Sequence, residues 1–435
     1  MNWFKLSLQL NRFPISRAQK TLQKIQEISS EKYESYLNDR KAEIVNHHLQ
    51  NNAFYKDFSK EDSYTTWTKL PIMTKKDLQR GLQKRLSTGF SRNNIYLGKT
   101  SGSSGTPFIF AKDRFAHALT WAVFQERYLW HGIDLNKSIQ ARFYGIPMDF
   151  YGNIQERFKD RISLRRRFPV FNLSEKTMKD FLRRFQHSDF DYINGYTSAI
   201  LLFAKFLNEK KLNLKKVCPS LKLCIVTSEV LFETDKNLMQ KAFGVPVINE
   251  YGASEVGLIA FENKENEWLV NAEDLFVEIV DKNNNPLPYG EEGRILVTSL
   301  YNKAHPVIRY EIGDTGILSK KSTPKRPILQ NLTGRNNDFA KLKNGKIIPG
   351  LTFYYVTKSI IEDTGSIKEF VVVQTGLDTF EIIYVSSSEL SSNQQKEILK
   401  AISRYVDKDL EIIFDRKDQL QRTKSGKLKQ FVSKI

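Results

Sequence analysis

From about residue 95 to residue 300, short apolar runs bounded by turn residues take turns with stretches of helical periodicity. The runs "LKLCIVT", "VPVINEY" and "GRILVTSL" read as strands, and "SEKTMKDFLRRF" and "TSAILLFAKFLNEKK" read as amphipathic helices. Alternation of this kind predicts an α/β architecture. Ahead of it, "RAQKTLQKIQEISSEKYESYLNDRKAEIVNHHLQNN" spaces its apolar positions for helix and ends in an asparagine pair, so a helical N-terminal segment over about residues 1–90 is expected. Beyond "LTGRNNDF" the chain restarts as strands "EFVVVQ", "TFEIIYV" and "LEIIFD", with the helix "SNQQKEILKAISRYV" between the last two. That is the pattern of a compact α+β module of about a hundred residues. The predicted division is a large domain over 1–334 and a small one over 335–435.

Length supports more than one domain, because single cores stop growing near roughly 250 to 300 residues and this chain has 435. Its longest apolar runs fall short of the ~20 residues of a membrane helix, so no span is expected. The start "MNWFKLSLQLNRFPISR" lacks the continuous apolar stretch of a signal peptide, and a cytoplasmic location is expected. Cys218 and Cys224, the two cysteines, have no metal-ligand spacing and read as core thiols. His47 and His48 have no ligand partner one helical turn away, which points to packing rather than metal. The net charge of +18 raises nucleic acid, an anionic surface or a polyphosphate cofactor as partners. Yet lysine and arginine are dispersed, and the densest cluster, "RISLRRRF", reads first as solvated surface.

The candidate chemistry begins in "KTSGSSGTPFIF". Glycines let successive amide groups face one side, and hydroxyls complete a concavity suited to phosphate oxygens. "NNIYLG" and "PFIFAK" around it read as strands, which makes the loop a turn between packed elements. Thr106 and Pro107 stand where a Walker loop has its lysine, so that class is excluded. Further along, "INEYGASEVG" ends a strand in a turn that brings Tyr251 and Glu255 close, an aromatic face and a hard oxygen ligand. "VIRYEIGDTG" puts Asp314 in a glycine turn, where a carboxylate can accept both ribose hydroxyls. "LTGRNNDF" supplies Arg335, and "QRTKSGKLKQ" offers Lys427 in a basic glycine turn.

In this order and rough spacing, the five motifs resemble the adenylate-forming superfamily of acyl-CoA ligases, adenylation domains and luciferases. The resemblance covers nearly the whole chain. Within the superfamily the chain looks most like the phenylacetate-CoA ligase branch, including its relatives in capsular polysaccharide clusters. "KLPIMTKKDLQ", "NGYTSAILLFAKFL", "VTSEVLFETD" and the missing lysine after "SGTP" carry that finer likeness.

The resemblance implies ATP-dependent activation of a carboxylate as an acyl-adenylate, with release of pyrophosphate, followed by transfer to coenzyme A. It implies that Thr100, Ser101, Gly102, Ser103, Ser104, Gly105 and Thr106 hold the phosphates, and that Glu255 binds Mg2+. Ser228 and Glu229 would lie beside adenine; Tyr251, Gly252 and Ser254 complete the nucleotide motif; Asp314 and Arg335 would hold the ribose. Lys427 would bridge carboxylate and phosphate from the small domain, which swings about a hinge at Asn337 and Asp338. Tyr144, Gly145 and Tyr196 are candidate pocket residues for the acid. The lysine-rich "FAKLKNGKIIPG" departs from the family's apolar-glycine pattern and leaves an amine or hydroxyl of a sugar or amino acid open as acceptor. A basic module that binds nucleic acid or a surface accounts for the charge but not for the ordered motifs.

Overall fold

The computed structural model describes the chain apart from residues 1–2, 65, 100–108, 145–159, 161, 171–173, 229–230, 232, 334–338, 350–351, 354–355, 357–366, 387, 419 and 421–430. The contacts divide the chain into two compact units. The first comprises Met1–Ser101, Pro107–Asn136 and Ile248–Gly334; the second comprises Gly102–Thr106, Lys137–Val247 and Arg335–Ile435.

In the first unit, the expected helical start opens with the helices Trp3–Leu10, Ile15–Glu27 and Ser30–Asn51, with Pro14 and Ser29 at the N-caps of the second and third, and continues with the shorter helix Ala53–Ser59 and three 3-10 turns. Ile15, Ala18, Leu22 and Ile25 recur at helical spacing and are the buried stripe of the second helix. Gln19 on that helix donates to Gln125 at 2.8 Å, on the helix Arg114–Trp130, whose N-cap Asp113 accepts from Ala116 N at 2.8 Å. The strands Leu275–Val280, Glu292–Ser299, Tyr310–Leu318 and Leu329–Thr333 form an antiparallel meander in chain order. "DKNNNPLPYGEEG" is the connection between the first two, as its turn chemistry predicts. Strands Ile95–Lys99 and Ile109–Asp113 pair antiparallel, so the Ser/Thr/Gly stretch does join two paired strands.

In the second unit, the strands Arg165–Phe168, Gln140–Phe143, Tyr192–Tyr196 and Leu223–Thr227 lie parallel and side by side in that order. Their apolar face packs on the helices Glu175–Gln186 and Thr197–Glu209 through a phenylalanine cluster, in which Phe143 and Phe168 stack at 4.8 Å. Removing one such ring is expected to cost about 3 to 5 kcal/mol. Cys218 and Cys224 are buried in this cluster, and burial pushes the Cys224 thiol upward. A separate core lies in the last hundred residues. Strands Glu411–Lys417, Thr379–Ser386, Ile367–Gln374 and Phe431–Ser433 form one sheet in that spatial order. Phe380, Ile382 and Tyr384 alternate inward on the central strand, and the helix Ser392–Tyr405 starts with a capping box between Ser391 and Gln394.

Two expectations need correction. Asp314 lies within the strand Tyr310–Leu318 rather than in a turn; Gly313, at φ 87°, supplies the irregularity inside that strand instead of ending it. The cluster "RISLRRRF" is not simply solvated surface either. Residues Arg165–Phe168 form a strand, and the Arg167 side chain is 8% exposed and pairs with Asp160 at 2.7 Å. Pairing along a sheet took these arginines out of bulk water, which charge counting along the chain does not register.

Candidate active site

The turn that follows the strand Val247–Ala253 carries Glu255, and the strand Tyr310–Leu318 carries Asp314. Each segment supplies the tyrosine that holds the other's acid. Tyr251 donates to Asp314 Oδ2 at 2.8 Å, and Tyr310 donates to Glu255 Oε1 at 3.0 Å. All four side chains are buried. Among the described residues, Glu255 Oε2 has no protein donor. Such an oxygen suits a hard cation that keeps most of its own waters.

The second tyrosine is aimed by its neighbour. Arg309, at φ 47°, is fully buried and donates to Glu278 and to the carbonyls of Leu70, Thr68 and Asn284. Arg309 anchors the chain immediately before the strand Tyr310–Leu318, whose first residue, Tyr310, reaches Glu255. The "KLPIMTKK" segment joins the same structure: Met73 N donates to Arg309 O at 3.2 Å, and Glu311 N donates to Met73 O at 2.8 Å. Three motifs far apart in sequence thus meet in the first unit.

A fourth element reaches the Glu255 turn from the hairpin. Lys112, on the strand that follows the Ser/Thr/Gly loop, donates from Nζ to Val256 O at 2.9 Å and to Thr120 Oγ1 at 3.2 Å. Burial pulls its ammonium down to about 8, against the opposing pull of Asp274, Glu255 and Asp113. Burial likewise pushes Asp274 up to about 7, while Lys112 lowers it, and Asp274 Oδ1 is buried without a hydrogen-bond partner among the described residues. Gly257 closes the turn at φ 100°.

In the second unit, Tyr144 and Tyr196 stand at the carboxyl ends of two adjacent parallel strands, with ring centroids 4.7 Å apart. Gly195 makes the approach feasible, since a Cβ there would fall 2.3 Å from Phe143 O. The neighbouring guanidinium of Arg142 lies 4.2 Å from the Tyr144 ring centroid. Ser228 follows the strand Leu223–Thr227 at φ 71°, an exposed left-handed position. Gly252 lies in the strand that bears Tyr251, and Ser254 is exposed in the Glu255 turn. Thr100 to Thr106, Gly145, Glu229, Arg335, Asn337, Asp338 and Lys427 lie outside the described residues.

The sequence reading passed over Tyr310, Lys112, Asp274 and Arg142. Lys112 and Arg142 did carry a signal: a charge inside an apolar strand, in "FIFAKD" and "IQARFYG", has to be accounted for by a partner.

The fold is that of the adenylate-forming ligases. A crystal structure of 2-hydroxyisobutyryl-CoA ligase in complex with 2-HIB-AMP and CoA superposes with a TM-score of 0.58 at 17% identity, covering 94% of this chain and 90% of that one. No family model matches the chain. In sequence the chain is similar to protein CapK of Staphylococcus aureus, 21% identical over 378 residues, which are 83% of this chain and 80% of CapK. It is also similar to phenylacetate-coenzyme A ligase of Pseudomonas putida, 25% identical over 197 residues, or 43% of this chain and 44% of that enzyme. The relatives and the fold agree with the resemblance drawn from the five motifs.

Proposed function

We propose that this protein is an AMP-forming ligase: it activates a carboxylic acid with ATP as an acyl-adenylate and passes the acyl group to coenzyme A. The observation that carries the reading is the reciprocal pair Tyr251–Asp314 and Tyr310–Glu255, which fixes two carboxylates in one cluster. One acid is held to accept from ribose hydroxyls and the other to carry magnesium, whose charge offsets that of the phosphates. Similarity to a phenylacetate-coenzyme A ligase supports coenzyme A as acceptor.

In this reading the Ser/Thr/Gly loop cradles the phosphates, Ser228 and Glu229 border adenine, and Arg335 assists at the ribose. Lys427 lines up the attacking carboxylate with the α-phosphate, where negative charge gathers. Residues 335–435 act as a mobile lid hinged at Asn337 and Asp338. No described helix is long and apolar enough to cross a membrane, and the cytoplasm, which supplies ATP and coenzyme A, is the proposed location. The test is a panel of carboxylic acids scored for pyrophosphate exchange and for AMP release with and without coenzyme A. Acid-dependent exchange with thiol-stimulated AMP release is the expected result. Exchange without thiol stimulation moves the acceptor to an amine or hydroxyl, and no exchange with any acid overturns the adenylation.

A further inference from the structure

The parallel strands of the second unit change direction of growth at one place. The chain runs from Gln140–Phe143 outward to Arg165–Phe168, then returns to the other side of the first strand as Tyr192–Tyr196. In open α/β sheets, ligands bind outside the carboxyl ends of the strands at such a reversal. Tyr144 and Tyr196 stand at those ends on either side of it.

Beneath them the sheet face is cationic. Arg142 and Arg167 are register partners on adjacent strands, and Arg165 precedes Arg167 by one alternation. Asp160 is the counter-charge of two of the three: Arg167 donates to both of its oxygens, at 2.7 and 3.0 Å, and Arg165 Nε, buried without a hydrogen-bond acceptor among the described residues, lies 3.9 Å from Oδ1 in ion-pair range. Arg165 also donates to Ser163 Oγ at 2.7 Å. Among the described residues no acid serves Arg142. Its Nε is buried without an acceptor, and its guanidinium rests on the Tyr144 ring. On the other neighbouring strand, its register partner Asn194 accepts from Gln140 at 3.1 Å and is no counter-charge. A partly buried guanidinium with no counter-charge among the described residues, beside an aromatic pair at the reversal of the sheet, has the chemistry to recognise an anion.

We propose that Arg142 is the specificity-determining residue of the acid pocket, and that the carboxylic acid this protein activates carries a second anionic group, a carboxylate or a phosphate. The inference rests on the proposed function for which group is activated, but not for the existence of the anion site. The acid's body lies against Tyr144 and Tyr196, and its remote anion takes the paired N–H groups of Arg142, a geometry a guanidinium offers and an ammonium does not. Arg165 adds positive charge behind it. The neutral analogue leaves Arg142 unpaired, which makes the discrimination steep.

The experiment uses the full chain and acids matched in skeleton: hexanoate against adipate, phenylacetate against 4-carboxyphenylacetate, and 3-hydroxypropanoate against its phosphate ester. Pyrophosphate exchange gives kcat/KM, and calorimetry without ATP gives binding. For at least one pair, wild type should favour the charged member by about ten- to a hundredfold, the range of a hydrogen bond to a charged group. Arg142→Gln should bring that ratio near unity through KM, and Arg142→Lys should restore part of it. Arg166→Gln, whose guanidinium lies over Phe190 rather than beside Arg142, should leave the ratio unchanged. The pair that discriminates tells carboxylate from phosphate. Equal use of both members of every pair by wild type overturns the inference. So does an Arg142→Gln variant that raises KM for ATP or coenzyme A alone, since the anion then belongs to a cosubstrate. If no acid supports exchange, but calorimetry shows charged acids bound by wild type and not by Arg142→Gln, the site stands and the adenylation reading fails.

Discussion

Tyr251 donates to Asp314 Oδ2 at 2.8 Å, and both side chains are 3% exposed. A buried carboxylate that already accepts one phenolic hydrogen bond is fixed in orientation before any nucleotide arrives. Asp314→Ala should therefore weaken ATP binding by about 1.5 to 3 kcal/mol, the scale of hydrogen bonds to a charged group. Tyr251→Phe removes only the orienting donor and should cost less, about 1 kcal/mol. Calorimetry with ATP measures both, and unchanged affinity in Asp314→Ala takes the residue out of the nucleotide site.

Lys427 stands alone in "RTKSGK", and its proposed role lasts only while charge builds on the α-phosphate. Lys427→Ala should nearly abolish pyrophosphate exchange, yet leave consumption of a chemically supplied acyl-adenylate in place. Parallel loss of both half-reactions in a folded variant contradicts a role confined to the first.

Much of the fold was legible because its strands and helices keep clean periods. Ile15, Ala18, Leu22 and Ile25 announce a helix, and Phe380, Ile382 and Tyr384 announce a strand. The motifs were legible as an ordered set. What joins them was not, since Tyr251 and Asp314 are 63 positions apart and Lys112 and Val256 are 144 apart. Local pattern carries no information on such contacts. Asp314 was misplaced for a physical reason: "IGDTG" has turn composition, but pairing at Tyr310 and Glu311 and again from Thr315 onward carries the strand past an irregular step at Gly313. The arginines of "RRRF" misled in the opposite sense, because alternation sends Arg165 and Arg167 to one face while Arg166 goes to the other.

Asp274 gives stability a pH dependence of unusual sign. Its carboxyl is raised by burial from 3.8 to about 7, so between those values the folded state binds more protons than the unfolded one. Stability should fall as pH rises through that window, and Lys112 moderates the loss by favouring the charged form. Asp274→Asn removes the titration. Denaturant unfolding of the two proteins should diverge by on the order of 4 kcal/mol across the window, with wild type losing ground as pH rises. Curves that stay parallel count against the burial of a neutral acid there.

His48 acts in the reverse direction. Burial, with His47 and Lys303 nearby, lowers its pKa from 6.5 to about 3, while its Nε2 meets Asn302 O at 2.9 Å. The folded state binds fewer protons than the unfolded one between these values, so stability is retained above 6.5 and is lost as pH falls toward 3. His48→Gln should flatten this slope. The expected difference in slope amounts to on the order of 3 kcal/mol between neutral pH and about pH 4. An unaltered acid limb in the variant means that other groups govern it.

Gly257 ties the hairpin lysine to the glutamate turn. It pairs with Ala253 across the turn at φ 100°, and a Cβ there would lie 2.7 Å from Thr120 Cγ2 and 3.2 Å from Lys112 Nζ. Gly257→Ala therefore meets two separate penalties. The left-handed backbone costs about 1 to 3 kcal/mol for a residue with a side chain, and the methyl group displaces Lys112 from the Val256 carbonyl it holds. Because Val256 follows Glu255 directly, pyrophosphate exchange should slow beyond what lost stability explains. Adding Thr120→Ser removes the clashing methyl and keeps the hydroxyl that accepts from Lys112. The double variant should recover exchange more than it recovers stability, since the backbone strain persists. Simple additivity of the two substitutions in both measurements means that Lys112 and Thr120 do not position the glutamate turn.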